Sequence, residues 1–149
     1  MHPMDVPITR LDPTIPLPTY KTPGAAAFDL APSTDVVINP GAVAYVPTGL
    51  VIAVPKQHTL ILAPRSSLHT LGLVLANQIG VIDEDFCGPE DELKIALRNI
   101  TEHPVTIQRG QRICQGILLS IARAEWVEQS ARDTAAISRG GFGSTGNFS

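Results

Sequence analysis

Five short segments carry the side chains best suited to chemistry. In Ala25-Ala26-Ala27-Phe28-Asp29-Leu30 an acid sits among apolar neighbours; alone it reads as an aspartate at a strand end or in a turn. In Pro64-Arg65-Ser66-Ser67-Leu68 a proline ends a strand. Backbone N–H groups, two hydroxyls and a guanidinium then make a small anion nest. A capped helix start with a surface arginine explains the same residues equally well. The stretch Asn77-Gln78-Ile79-Gly80-Val81-Ile82-Asp83-Glu84-Asp85-Phe86-Cys87-Gly88 has the look of a hairpin with three acids between glycines. A carboxylate bonded to one ordered water can serve as a general base. Asp83 directly follows the apolar Val81-Ile82 and is expected to point inward, whereas Glu84 and Asp85 are expected to be solvated turn acids. In Arg109-Gly110-Gln111-Arg112-Ile113-Cys114-Gln115 a tight turn leads into a buried strand and puts Gln115 on the face of Ile113. Such a glutamine more often satisfies backbone than ligand. The last segment runs from Arg139 to Ser149. Its composition is that of a frayed end. It also holds Phe142 as a stacking face, Gly143 for close backbone approach, and the hydroxyls of Ser144 and Thr145 as donors.

Composition limits what these segments can serve. With 44% hydrophobic and 17% charged residues the chain is not disordered. At 149 residues it fits one domain that buries roughly two-thirds of its unfolded surface. A net charge of −3 and a pI near 5.7 exclude a broad electrostatic grip on nucleic acid or anionic membrane. An anionic ligand must then be held by a local donor cluster or by a metal. The two cysteines, Cys87 and Cys114, lack metal-type spacing, which argues against a disulfide scaffold or a zinc site and for thiols in a reducing compartment. Met1 to Arg10 has no apolar signal core, and no apolar run approaches about 18 residues. The expectation is a soluble intracellular, cytoplasmic protein.

The elements that must position these side chains are short. Thirteen prolines and 12 glycines chop the chain. Strands are expected at Ala42–Val46, Gly49–Val54, Thr59–Ala63, Leu93–Arg98, Val105–Ile107 and Ile113–Ala122, with Leu93, Ile95 and Leu97 on one face. A helical turn is expected only around Ser66 to Leu71. Residues 1–23 read as extended, and 129–149 as polar and small. Many short strands with turn residues between them imply a β-sandwich or barrel. The chain has no internal repeat.

Together, in this order and at these separations, the five segments resemble the five motifs of the trimeric deoxyuridine triphosphatases. The resemblance covers the chain from about Pro23 to Phe148, and Gly-Val-Ile-Asp-Glu-Asp-Phe at 80–86 and Gly-Phe-Gly-Ser-Thr-Gly at 141–146 are its sharpest parts. It implies an all-β jelly-roll homotrimer whose three active sites are each built from all three subunits. Residues 1–138 would form the catalytic body and 139–149 a flexible arm closing over an active site. The implied reaction is dUTP plus water giving dUMP and pyrophosphate, with Mg²⁺. By the same resemblance Asp83 activates the water, Arg65, Ser66, Ser67 and Gln115 contact phosphates, and Asp29 holds the metal through water. Asn77 and the backbone from Gly80 through Ile82 to Asp83 would read uracil. Phe86 would pack on deoxyribose and exclude a 2′-hydroxyl. Phe142 would stack on uracil, with Gly143, Ser144 and Thr145 beside it in the arm and the two hydroxyls on the γ-phosphate.

The pattern departs from the family at Ser67 (usually glycine), Phe86 (usually tyrosine), Cys87 (usually arginine) and Pro89-Glu90-Asp91 (an insertion). Glu90, Asp91 and Glu92 read as a solvated acidic loop. The fifth-motif arginine position holds Ile137, leaving Arg139 as the nearest candidate for that contact. The rivals are a dCTP deaminase-like enzyme and a non-catalytic nucleotide-binding jelly-roll. The deaminases use a glutamate three residues before an asparagine, and here that position, counted from Asn99, is Ala96.

Overall fold

The computed structural model describes residues 4–133 and 140–141. Its strands are β1 (Ile8–Arg10), β2 (Phe28–Leu30), β3 (Val36–Ile38), β4 (Val43–Pro47), β5 (Leu50–Ile52), β6 (His58–Pro64), β7 (Leu73–Leu75), β8 (Gly80–Ile82), β9 (Lys94–Asn99), β10 (Val105–Ile107) and β11 (Cys114–Ser120). The punctuation expected from sequence sets these lengths. Pro47 closes β4, Pro64 closes β6, and Gly110, at φ 78°, turns the chain toward β11.

Every pairing is antiparallel. A four-stranded sheet runs β2-β11-β6-β8, a three-stranded one β4-β9-β7, and β1-β5 and β10-β3 form two-stranded ribbons. The fold is an all-β jelly-roll. One core joins the sheets, drawing Leu30, Val46, Leu60, Leu73, Ile95, Leu97 and Ile107 from different strands. Leu93, Ile95 and Leu97 are each at most 1% exposed, as their alternation requires. Each such side chain contributes about 1.5–3 kcal/mol on burial, which makes β6, at the centre of the wider sheet, a rigid reference.

The buried Asn99 shows how the polar interior is settled. Its amide nitrogen donates to Ile38 O at 2.9 Å and His103 O at 2.7 Å, and its oxygen accepts from the N–H and hydroxyl of Thr101. No buried polar side-chain atom among the described residues lacks a partner.

Five short strands, β1, β2, β3, β7 and β8, lie outside the runs expected from periodicity. Each has 3 residues, too few for alternation to be read. The expected strand 113–122 contracts to Cys114–Ser120. Residues 121–133 leave the body, all of them exposed, with Trp126 at 91% and Val127 at 87%. Among the described residues no helix is long and apolar enough to cross a membrane.

Candidate active site

The candidate residues collect at the two ends of β6. At its Pro64 end, β2, β11 and β6 run side by side, with Gln115 opposite both Asp29 and Ala63. This register puts Asp29 in the middle of a strand, not in a turn, and beside two cations. Asp29 Oδ1 lies 2.9 Å from Arg65 Nε, and Oδ2 lies 3.0 Å from Arg112 Nη1. Arg65 Nη1 also donates to Arg112 O at 3.2 Å. Two guanidiniums thus share one half-buried carboxylate, leaving a net positive cluster with fixed geometry. Gln115 donates one amide hydrogen to Pro64 O at 2.9 Å, satisfying backbone as a strand glutamine usually does.

The segment after Pro64 starts a helical turn without the side-chain cap that one of the two readings expected. A 3-10 turn spans Leu68–Leu71 with Ser67 at its start, but the Ser67 hydroxyl makes no capping bond. The first backbone bond of the turn runs from Leu68 N–H to Arg65 O, so the N–H groups of Ser66 and Ser67 precede it. Both serines are exposed. A cavity of about 380 Å³ opens here, lined by Arg65, Ser67, Thr70, Gly110, Gln111 and Arg112. Cations, hydroxyls and peptide donors around one hollow are suited to phosphate oxygens. A roomier cavity, about 960 Å³, lies elsewhere, among Val6, Leu17, Tyr20, Phe28 and Leu118, and its apolar wall offers a polyphosphate little.

At the other end of β6 stands the acidic hairpin. Asn77 is exposed between β7 and β8, and Gln78 at φ 63° makes the bend. Gly80 pairs with Leu62, and a Cβ added there would lie 3.0 Å from Leu62 Cβ, so any side chain here would push Leu62 back by a few tenths of an ångström. Ile82 is half-buried opposite Leu60. Past it the chain turns, Phe86 N–H bonding Asp83 O at 3.2 Å. Phe86 keeps 39% of its surface exposed.

Two expectations about the acids are corrected here. Asp83 does not point inward within this chain; it is exposed, and its carboxylate makes no hydrogen bond among the described residues. Glu84, expected to be solvated, is the acid that is tied down. It accepts the Gln57 N–H at 2.9 Å and faces Arg123 at 3.1 Å. Sequence position could not separate the two, because strand β8 stops at Ile82 and alternation stops with it. The acidic insertion is also less solvated than expected. Asp91 accepts the Gly88 N–H at 2.7 Å and Glu92 the Gly49 N–H at 2.8 Å.

Asp83 follows the Ile82–Leu60 pair and so lies beside Thr59, whereas Gln115 and Asp29 are level with Ala63. At about 3.3 Å of rise per residue the two groups are about 13 Å apart along β6, with strands of the sheet between them as well. Arg139, Phe142, Gly143, Ser144 and Thr145 lie outside the described residues. Arg112 was not singled out in the sequence; the signal was its place at the mouth of β11, whose register faces Asp29.

Among the described residues no three His, Cys, Asp or Glu side chains group to cage a metal. Asp29 spends one lone pair of each oxygen on an arginine and keeps others. The donor set thus suits the water shell of a cation carried in on phosphates, not a resident ion.

Comparison with known proteins gives one answer. The dUTPase family model matches residues 14–146. A deoxyuridine 5'-triphosphate nucleotidohydrolase of Thermobifida fusca is 42% identical over 143 residues, which is 95% of this chain and 78% of that protein. One from Methylocella silvestris is 40% identical over 152 residues, 97% of this chain and 93% of that protein. The solved dUTPase of Streptococcus mutans is 29% identical and superposes with a TM-score of 0.75, covering 83% of this chain and 100% of that one. The Staphylococcus bacteriophage 80alpha dUTPase with dUPNHPP reaches a TM-score of 0.84 at 20% identity, covering 95% of this chain and 98% of that one, a likeness of fold.

Proposed function

Because this chain belongs to the dUTPase family, we propose that it hydrolyses dUTP to dUMP and pyrophosphate through water activated by Asp83. Asp83 takes a proton from the water, and the resulting hydroxide attacks the α-phosphorus. The bond from that phosphorus to the bridging oxygen breaks, and pyrophosphate leaves with the electron pair. Arg65, the Ser66 and Ser67 donors and Gln115 hold phosphate oxygens as charge spreads onto them. Asn77 and the backbone at Gly80 and Ile82 pair with uracil, and Phe86 fills the space of a 2′-hydroxyl. Asp29 would hold Mg²⁺ through water, and the ion, when bound, would neutralise phosphate charge. Such activity limits uracil in DNA and supplies dUMP for dTMP synthesis, in the cytoplasm.

The observation that carries this reading is the separation of the two groups on the sheet: a carboxylate with no partner among the described residues near one end of β6 and a cation cluster at the other, about 13 Å away along the strand, a span longer than a triphosphate. A homotrimer with shared sites, into which an arm of residues 139–149 closes from a body of residues 1–138, brings the two together. The exposed Val81 on the hairpin, and Trp126 and Val127 on the outgoing segment, supply apolar surface for other copies.

Pyrophosphate release from a panel of deoxynucleoside triphosphates and UTP with Mg²⁺ tests the activity. dUTP alone should turn over, and ammonia from dCTP would replace the reading with the deaminase one. Coexpression of Asp83→Asn with Arg65→Ala tests the sharing. Two inactive variants should recover activity together, and a mixture that stays dead means each chain builds its own site.

A further inference from the structure

Resting on Asp83 as the base, we infer that Thr59 and Glu84 are positioning residues that hold the Asp83 carboxylate in line with its water. The exposed Asp83 side chain has no partner of its own among the described residues, so within this part of the chain its aim is set by its backbone. That backbone is tied on both sides to the start of β6. Ahead of Asp83, the buried Thr59 hydroxyl donates to Ile82 O at 2.9 Å. Behind it, Glu84 Oε2 accepts the Gln57 N–H at 2.9 Å and Oε1 sits 3.1 Å from Arg123 Nη2. Gln57 is at φ 61°, a left-handed conformation uncommon outside glycine. A charged acceptor on its N–H helps keep it there. The Phe86 N–H bond to Asp83 O at 3.2 Å then closes the turn.

The side chains of Thr59 and Glu84 are spent on protein atoms, so they act through Asp83 and not on the nucleotide. Their loss should slow turnover while leaving substrate affinity alone, because a base displaced by about 1 Å loses up to about a hundredfold in rate.

The test measures kcat and KM for dUTP, and the dissociation constant of the imido analogue dUpNHpp, for Thr59→Val, Glu84→Ala and Glu84→Gln. Thr59→Val and Glu84→Ala should each lower kcat about tenfold with analogue binding within about twofold of wild type. Glu84→Gln keeps an oxygen toward the Gln57 N–H and should recover kcat to within about threefold, since the Arg123 contact it gives up is exposed. Unchanged kcat in Thr59→Val and Glu84→Ala, or loss of binding in step with kcat, overturns the inference. Should Glu84→Ala fail to fold by circular dichroism, Thr59→Val and Glu84→Gln decide on the same criteria. Wild type and Asp83→Asn run alongside. A wild type without dUTP turnover, or an active Asp83→Asn, sinks the underlying reading instead.

Discussion

The two ends of β6 solve opposite problems. At the Pro64 end the candidate side chains are locked to one another: Asp29 holds Arg65 at 2.9 Å and Arg112 at 3.0 Å. At the other end the Asp83 side chain has no partner among the described residues, and the bonds go to the peptides around it. Under the proposed function the contrast follows from the tasks. Cations that receive a triphosphate gain from being fixed and partly neutralised before it arrives, since the cost of ordering them is met on folding. A base must keep its lone pairs for water, so it can be aimed only through its backbone.

The largest expected effect attacks the free end. Asp83→Asn keeps the shape and removes the proton acceptor, so kcat should fall by about 10²–10⁴. Binding of dUpNHpp, followed by calorimetry, should persist. Near-wild-type turnover in this variant would erase the functional contrast between the two ends.

Next comes the locked end. Asp29→Asn removes the charge that orients both guanidiniums without emptying the space. Arg65 and Arg112 are 28% and 45% exposed, so water screens much of the pair energy. The expected outcome is a KM for dUTP about tenfold higher, equivalent to about 1.4 kcal/mol, with a smaller change in kcat. A lower KM would mean that Asp29 only damps the positive charge and that fixed geometry at this end is unimportant.

A smaller effect is expected at Phe86, beside the base. With 39% of its surface free, the ring is available to a ligand. Phe86→Ala should cut the preference for dUTP over UTP about tenfold, the scale on which an apolar wall discriminates a small group. Competition assays with both nucleotides measure it. An unchanged ratio removes Phe86 from sugar selection.

The sequence made one end of β6 more legible than the other. The Leu93, Ile95 and Leu97 alternation and the Pro64 stop are local signals, and they placed β9 and the end of β6. Arg65 and the serines followed from that stop. The pairing of Asp29 with Arg112, by contrast, is set by a register between strands separated by most of the chain, and no local pattern encodes it. The acids after β8 defeated inspection for a related reason. Once the strand ends at Ile82, facing is decided by turn bonds, and the contact of Glu84 with the Gln57 N–H depends on β6 lying alongside.

The two cysteines probe the same contrast with the smallest effect on turnover, because one thiol lies at each end of β6. Cys114 neighbours Gln115 at the locked end. It is 0% exposed and donates to Ala63 O at 3.1 Å. Burial pushes its thiol up from 9.0 to about 12. Cys87, next to Phe86 at the free end, is exposed. Iodoacetamide should therefore label Cys87 alone in the folded protein and both thiols after denaturation, as read by mass spectrometry. The raised value also has a sign for stability. Below pH 9 both folded and unfolded chains keep the thiol protonated and nothing changes. Between about pH 9 and 12 the unfolded chain ionises first, so this group erodes stability by at most about 1.4 kcal/mol per pH unit. Cys114→Ala should flatten that part of the melting-temperature profile, whereas Cys87→Ala should leave it as it was. Native labelling of Cys114 would mean that the end held by Asp29 opens as readily as the end that carries Asp83.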